Sequence, residues 1–280
     1  MILIEGKKVA EKRKEKIKNK IKELSGVPAL AVIRVGEDPA SEIYVRLKRK
    51  MCEEIGIDFT EYHLDKEIEQ KDLMGLIERL NDDDKTNAIL LQSPIPYQLD
   101  ILKAFESINP QKDVDGFSPI NTGRLVQGQD SFRACTPSGI MMLLEEYGID
   151  ITGKHCVVVG RSNIVGKPMA ELLLNANGTI TVCHSKTKNL AEITKTADIL
   201  VVAIGNPNFI SADMVKDDAV VIDVGINRIP GTKKIVGDVD FESVKEKVSY
   251  ITPVPGGVGP MTIIALMENV VKAYELQNKR

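Results

Sequence analysis

His155-Cys156-Val157-Val158-Val159-Gly160-Arg161-Ser162-Asn163-Ile164-Val165-Gly166-Lys167-Pro168 reads as a buried strand, a short turn and the start of a helix. The apolar run ends at Gly160, and Pro168 suits the first turn of a helix beginning near Gly166. Such a turn aims backbone N–H groups and the helix dipole at a phosphate. The spacing is not GxGxxG, because residues 161–165 separate the two glycines. Spacing alone fits a plain tight turn, and the strand-turn-helix context favours a nucleotide site over it. Its candidate lining residues are Gly160, Arg161, Ser162, Ile164, Val165 and Gly166, with Ile226 further on.

The next strand helps to choose the nucleotide. Where an NAD enzyme usually carries an acid for the ribose hydroxyl, this chain reads Val182-Cys183-His184-Ser185-Lys186-Thr187. An acid there would repel a 2′-phosphate, whereas Ser185 and Lys186, with Arg161 from the first turn, suit one. The expected cofactor is NADP. His184 borders this phosphate site, and neither His63 nor His155 is given a catalytic role.

Outward from this segment, strands are read at 156–159, 179–183, 199–203 and 220–223, with helices at 166–175 and 189–196. Toward the N-terminus, helices at 7–24, 41–55 and 71–81 alternate with strands at 29–33, 57–62 and 88–91. Both halves are α/β, the pattern of parallel sheets with helices on both faces. Residues 109–139, rich in Pro, Gly, Asn and Ser, read as the connection. A final helix over 261–277 packs back on one half or the other.

Composition bounds the function classes. The chain has 280 residues, 43% hydrophobic and 28% charged, with a formal net charge of -3. That suits a soluble globular protein of one large or two ordinary domains. A phosphate-backbone binder shows a basic surplus, so nucleic acid is not expected as a partner. The lysine-dense run 7–22 also carries Glu11 and Glu15 and an apolar face, so it reads as a solvated amphipathic helix. No segment is apolar for long enough to cross a bilayer, and the N-terminus lacks the pattern of a signal peptide. The four cysteines are far apart and form no CxxC pair. Reduced thiols and a cytoplasmic protein are expected, with no metal site.

The helix over 41–55 divides by its period. Ile43, Leu47, Met51 and Ile55 form the expected core stripe, and Arg46, Arg49, Lys50 and Glu53 a solvated face. Tyr44, Lys48 and Cys52 fall on the border between them. A lysine at such a border is either a snorkelling cation beside a packed tyrosine or a partly desolvated acid-base group. Gln92-Ser93-Pro94-Ile95-Pro96 follows the strand at 88–91, at the carboxyl end where parallel sheets place ligands. Lys112-Asp113-Val114-Asp115-Gly116-Phe117 offers two carboxylates at alternate positions. It is not a calcium loop, since Phe117 brings no side-chain ligand and the later glutamate is missing. Asp113 and Asp115 are otherwise ordinary turn residues.

Taken together these segments resemble the bifunctional methylenetetrahydrofolate dehydrogenase/methenyltetrahydrofolate cyclohydrolase family. The resemblance rests on Val35-Gly36-Glu37-Asp38-Pro39-Ala40-Ser41 with Tyr44-Val45 and Lys48; Gln92 with Pro94 and Pro96; and Lys112 to Phe117. It continues through Cys135-Thr136-Pro137, Gly160-Arg161-Ser162 to Pro168, and Pro253-Val254-Pro255-Gly256-Gly257-Val258-Gly259-Pro260-Met261-Thr262. It implies an N-terminal α/β catalytic domain over 1–121, completed by the C-terminal helix over 261–280. A Rossmann-like NADP-binding domain with a mostly parallel sheet covers 122–260, and tetrahydrofolate derivatives lie in the cleft between the two. Lys48 is the implied proton-transfer residue, Tyr44 packs on the substrate, Gln92 orients Lys48, and Asp115 holds the pterin ring. Pro255, Gly256 and Gly259 are implied substrate-binding positions. Three glycines between prolines before a helix let a ligand approach the backbone closely, although they also make plain turns.

The implied chemistry is hydride transfer from the methylene carbon of 5,10-methylenetetrahydrofolate to NADP, followed by hydrolysis of methenyltetrahydrofolate to 10-formyltetrahydrofolate. No metal is needed, because the substrate carries its own electrophile. Two positions depart from the family pattern: Ser93 stands where leucine is usual, and Ala134 where proline precedes Cys135. Ser93 touches the loop that orients Lys48, so it bears on the cyclohydrolase. The alternatives are a dehydrogenase without cyclohydrolase activity, and a nucleotide-binding regulator without turnover. A homodimer is expected from the resemblance.

Overall fold

The computed structural model describes residues 1–232 and 234–278. Along the chain, β1 (Ile2–Leu3) leads into α1 (Gly6–Lys22), β2 (Ala29–Val35), α2 (Pro39–Ile55), β3 (Asp58–Leu64), α3 (Gln70–Asp82) and β4 (Ala88–Leu91). Three helices follow, α4 (Ile101–Ser107), α5 (Pro119–Val126) and α6 (Cys135–Glu146). Next come β5 (His155–Val159), α7 (Gly166–Asn175), β6 (Thr179–Cys183), α8 (Leu190–Thr194), β7 (Ile199–Val202) and β8 (Val220–Asp223). The chain ends with β9 (Asn227–Arg228), β10 (Ile235–Val236), α9 (Phe241–Val244), β11 (Tyr250–Ile251) and α10 (Val258–Asn278).

Two compact units result. One comprises Met1–Glu11 and Thr136–Thr262; the other comprises Lys12–Cys135 and the described residues from Ile263 onward. The break after Cys135 lies beyond residue 121, and the first eleven residues join the unit with the larger sheet. The reason is β1, which pairs in parallel with β11 and becomes the last strand of that sheet. Residues 109–139 are not a plain connection, since they contain α5 and the start of α6. Pro119 opens α5, and the Ser118 side chain caps it by accepting from the Asn121 N–H.

In the first unit the six strands run in the order β1-β11-β8-β7-β5-β6, and every adjacent pair is parallel. The chain goes from β5 to β6 on one side, then returns to β7 on the other. The carboxyl ends of β5 and β7 therefore flank a topological switch point, where doubly wound sheets bind ligands. β7 and β8 are buried along their whole length, with Val, Ile or Leu at every position except Asp223 at the end of β8, as strands covered on both faces require. The core holds Val157, Val159, Leu200, Val202, Val221 and Ile251.

The second unit carries a parallel sheet in the order β3-β2-β4. Its core packs Ile33, Ile89 and Leu91 against Leu73, Ile77 and Phe105. The helix α2 is fixed at both ends. Asp38 accepts the Ser41 N–H at 2.7 Å, Pro39 occupies the first turn, and Gly56 ends the helix at φ +86°. The expected core stripe of α2 is corrected here. The buried positions are Ser41, Val45, Lys48, Cys52 and Ile55, while Leu47 is 43% exposed. The inward face is rotated so that Lys48 sits in its middle rather than at its border.

Candidate functional site

The cluster around Lys48 is built entirely within the second unit. Lys48 is 7% exposed, and its Nζ donates to Gln92 Oε1 at 2.8 Å. The Gln92 amide in turn donates to the Ser93 carbonyl at 2.7 Å, which fixes the carboxamide with its oxygen toward the lysine. The Ser41 hydroxyl, two turns earlier on the same buried face of α2, donates to the same carbonyl. It is the backbone of Ser93, not its hydroxyl, that orients Gln92.

Burial pushes the Lys48 ammonium below the usual lysine value, opposed by the charge of Asp115 and by Cys135 and Cys52. Asp115 moves the other way. Burial raises its carboxyl, the Lys48 charge opposes the rise, and Asp113 adds to it. The two thiols are held protonated: burial raises Cys52 to about 12 and Cys135 well above the ordinary value. Tyr44, one helical turn before Lys48, is half-buried, and that burial raises its phenol. A lysine shifted this way gives up its proton more readily than a free lysine, which suits it to acid-base work.

The two carboxylates of the Asp113–Asp115 turn do different work. Asp113 is 2% exposed and accepts from the N–H groups of Gly116, Phe117 and Ser118 and from Asn121 Nδ2. It folds the turn. Gly116 sits at φ +69°, and a Cβ there would press on the backbone of Phe132 and Arg133. Asp115 stays outside that network, and its charge is felt by Lys48. Lys112 is anchored on the carbonyls of Leu80 and Asp83, so it takes no part in the cluster.

The first unit holds the nucleotide-type turn. Gly160 follows β5 at φ +128°, and a Cβ on it would collide with the Ala203 carbonyl at the end of β7. A Cβ on Gly166 would collide with the Gly160 carbonyl. Only glycine at both positions lets the turn, the helix start and the β7 end meet so closely. The Ser162 hydroxyl accepts the Val165 and Gly166 N–H groups at 3.1 and 3.3 Å, leaving its own proton to donate. Arg161, Ser162, Asn163 and Ile164 are exposed. The Gly160 N–H donates to the Cys183 carbonyl, so the exposed Ser185 and Lys186 follow a strand end adjacent to the turn. In place of an acid there, Lys186 donates its backbone N–H to His184 Nδ1. These residues fit a nucleotide with a 2′-phosphate: an exposed turn, a helix start, a free hydroxyl and two cations.

The loop over 253–260 lies in the first unit. Gly256 has φ +104°, its carbonyl accepts the Lys7 N–H, and Gly257 packs against Gly6 without room for a side chain. Ile226 is 50% exposed, and a Cβ on Gly259 would touch its Cδ1 at 3.7 Å. Pro255 is exposed and Gly256 and Gly259 are half-exposed.

Sequence reasoning gave no role to Cys135, Asp223 or Asp238. The Cys135 thiol donates to the Val114 carbonyl beside Asp115. Asp223 and Asp238 are almost fully buried, at 3% and 0% exposed. The available signal was an aspartate ending an otherwise apolar strand, Val220-Val221-Ile222-Asp223. All four cysteines are buried and unpaired.

Comparison with known proteins agrees with this layout. Residues 4–115 match the catalytic-domain model, and residues 134–278 the NAD(P)-binding-domain model, of tetrahydrofolate dehydrogenase/cyclohydrolase. A bifunctional protein FolD from Campylobacter hominis is 56% identical over 283 residues, covering 100% of this chain and 99% of its own. The bifunctional FolD dehydrogenase/cyclohydrolase of Campylobacter jejuni superposes with a TM-score of 0.97 at 52% identity, covering 99% of each chain. The Trypanosoma brucei enzyme complexed with NADP cofactor and inhibitor superposes at 0.95 with 34% identity, covering 100% of this chain and 99% of that one.

Proposed function

The chain belongs to the tetrahydrofolate dehydrogenase/cyclohydrolase family, and from that premise we propose how its own residues divide the two reactions. It is a methylenetetrahydrofolate dehydrogenase and methenyltetrahydrofolate cyclohydrolase that uses NADP. Bound NADP would supply the acceptor for a hydride from the methylene carbon. Gly160, Arg161, Ser162, Ile164, Val165, Gly166, Ser185, Lys186 and Ile226 are the residues assigned to hold it. For this step the protein's work is alignment, with no proton to move.

Hydrolysis needs a base. Water bonds to the methenyl carbon and gives a proton to Lys48, whose neutral fraction is raised by burial. As that adduct collapses, its hydroxyl proton leaves to solvent, the C=O forms and the carbon's bond to one nitrogen breaks. That nitrogen takes up the proton held by Lys48, and the formyl group stays on the other nitrogen. Gln92 keeps Nζ directed by the 2.8 Å hydrogen bond, and that bond to a buried lysine is the observation that carries the reading. Asp115 accepts from the pterin amino group and ring N–H, Tyr44 packs on the substrate, and Pro255, Gly256 and Gly259 bring backbone close to it.

The four buried thiols suit a reducing compartment, and the reading includes a cytoplasmic homodimer with no nucleic-acid or membrane partner. Among the described residues no helix is long and apolar enough to cross a membrane. The test follows NADP reduction with methylenetetrahydrofolate, and separately the hydrolysis of supplied methenyltetrahydrofolate, for the natural chain and Lys48→Met. Hydrolysis lost in the variant supports the assignment. Hydrolysis that survives it overturns the role of Lys48, and a folded natural chain that reduces neither NADP nor NAD overturns the reading. Light scattering tests the dimer.

A further inference from the structure

Two buried aspartates in the first unit are bonded into one device, and neither belongs to the Lys48 cluster. Asp223 ends β8. Its Oδ1 accepts the N–H groups of Gly225 at 3.0 Å and Asp238 at 2.9 Å, and its Oδ2 accepts the Val239 N–H at 3.0 Å. Its own N–H donates to Thr252 Oγ1 at 2.8 Å. Asp223 thus fixes the main chain on which Asp238 sits. The Asp238 carboxylate then reaches away from β8 to the end of β7. Its Oδ2 accepts from Ile204 and Gly205 at 2.7 and 3.0 Å, and its Oδ1 accepts from the Asn206 N–H and Asn227 Nδ2, both at 2.8 Å.

The space for both carboxylates comes from glycine. A Cβ on Gly225 would collide with the Asp238 carboxylate, and one on Gly237 with the Asp223 carboxylate. The turn that Asp238 holds starts at Ala203, whose N–H donates to the Val159 carbonyl at 2.8 Å and whose own carbonyl packs on Gly160. It therefore stands at the β5/β7 switch point, beside the nucleotide-type turn.

We propose that Asp238, seated by Asp223, is a positioning residue for the cofactor: it holds the 204–206 turn in the one geometry that completes the nucleotide crevice. This rests on the NADP reading above. The bonding pattern also says which part of the nucleotide meets that turn. Its three N–H groups are already taken by a carboxylate, and a buried negative charge stands behind them. A phosphate is disfavoured there on both counts, so the turn offers carbonyl oxygens to hydroxyl or amide donors of the nucleotide. Phosphates are left to residues 161–166.

The experiment compares the natural chain with Asp238→Asn and with the milder Asn227→Ala, which keeps the charge and removes one donor. Three quantities are read: amide hydrogen exchange at residues 204–206 in the nucleotide-free protein, the NADP dissociation constant by calorimetry, and KM for each substrate. Expected are faster exchange at 204–206, NADP binding weakened about tenfold in Asp238→Asn and less in Asn227→Ala, and an unchanged KM for methylenetetrahydrofolate. Faster exchange with undiminished NADP affinity overturns the proposal, and so does a parallel rise of both KM values. Should Asp238→Asn not fold, Asn227→Ala decides by the same two criteria. Failure of the NADP reading itself shows separately, as absence of nucleotide binding by the natural chain.

Discussion

Lys48 Nζ and Gln92 Oε1 lie 2.8 Å apart, and the carboxamide that supplies the acceptor is itself held by the Ser93 carbonyl. Gln92→Met removes the acceptor and keeps the volume. Hydrolysis of methenyltetrahydrofolate is expected to fall by about a hundredfold, the scale of a misdirected acid-base group. NADP reduction falls less, because that step moves no proton. Rates measured separately for the two half-reactions check this; an equal loss in both refutes the assigned role.

The pH dependence follows from the direction of the Lys48 shift. Burial places its folded value below the unfolded 10.5, so folding favours the neutral amine. The stabilisation this group brings is complete above the unfolded value and is lost as pH falls through the folded one. The same neutral fraction serves as base. Hydrolysis at saturating substrate is expected to rise with pH to a midpoint below that of a free lysine. Asp115→Asn removes a charge that raises Lys48, so the midpoint should move to lower pH. A midpoint that moves upward contradicts the electrostatic account.

Asp113 and Asp115 are expected to separate cleanly under mutation. Asp113→Asn disturbs a buried carboxylate that holds three N–H groups and Asn121, and should cost about 2–3 kcal/mol of stability. Asp115→Asn should leave the melting temperature nearly unchanged or raise it, while KM for the folate substrate increases. Denaturant melts and KM measurements on both variants decide it.

Ser93→Leu is expected to leave hydrolysis within about threefold of the natural chain, an effect of under ~1 kcal/mol. The Ser93 carbonyl does the orienting, and leucine keeps it. A larger change assigns the hydroxyl a part that its hydrogen bonds do not show.

Cofactor choice should turn on the strand end after β6. Ser185→Asp with Lys186→Ala places an acid where a ribose hydroxyl can donate to it and removes a phosphate partner. The ratio of kcat/KM for NADP over NAD is expected to drop by at least tenfold, read from parallel initial-rate series.

Strands with a clear apolar pattern were legible at the residue level: the buried runs of β4 and β8 and the alternating Thr179-Ile180-Thr181-Val182 of β6 fall where they were expected. The two-residue strands β1 and β11 carry no period to read, and only pairing with β8 and one another makes them strands. The face of α2 was misread because Ile43, Leu47 and Met51 are more apolar than Ser41, Lys48 and Cys52. Hydropathy ranks side chains one at a time, whereas the fold buries Lys48 with an acceptor at hand. Asp113 and Asp115 looked alike for the same reason, since their roles differ only in which donors surround them. Asp238 was illegible because its four donors come from segments more than ten residues away.

The buried Cys135 has a consequence for chemical durability. A thiol kept protonated far above its ordinary value is a poor nucleophile, because alkylating agents and peroxides attack the thiolate. The sulfur beside Asp115 is thereby inert despite standing next to an ionisable lysine. The enzyme can carry a cysteine at the heart of its proton-handling cluster without becoming a redox sensor, and thiol-directed inhibitors should pass it by.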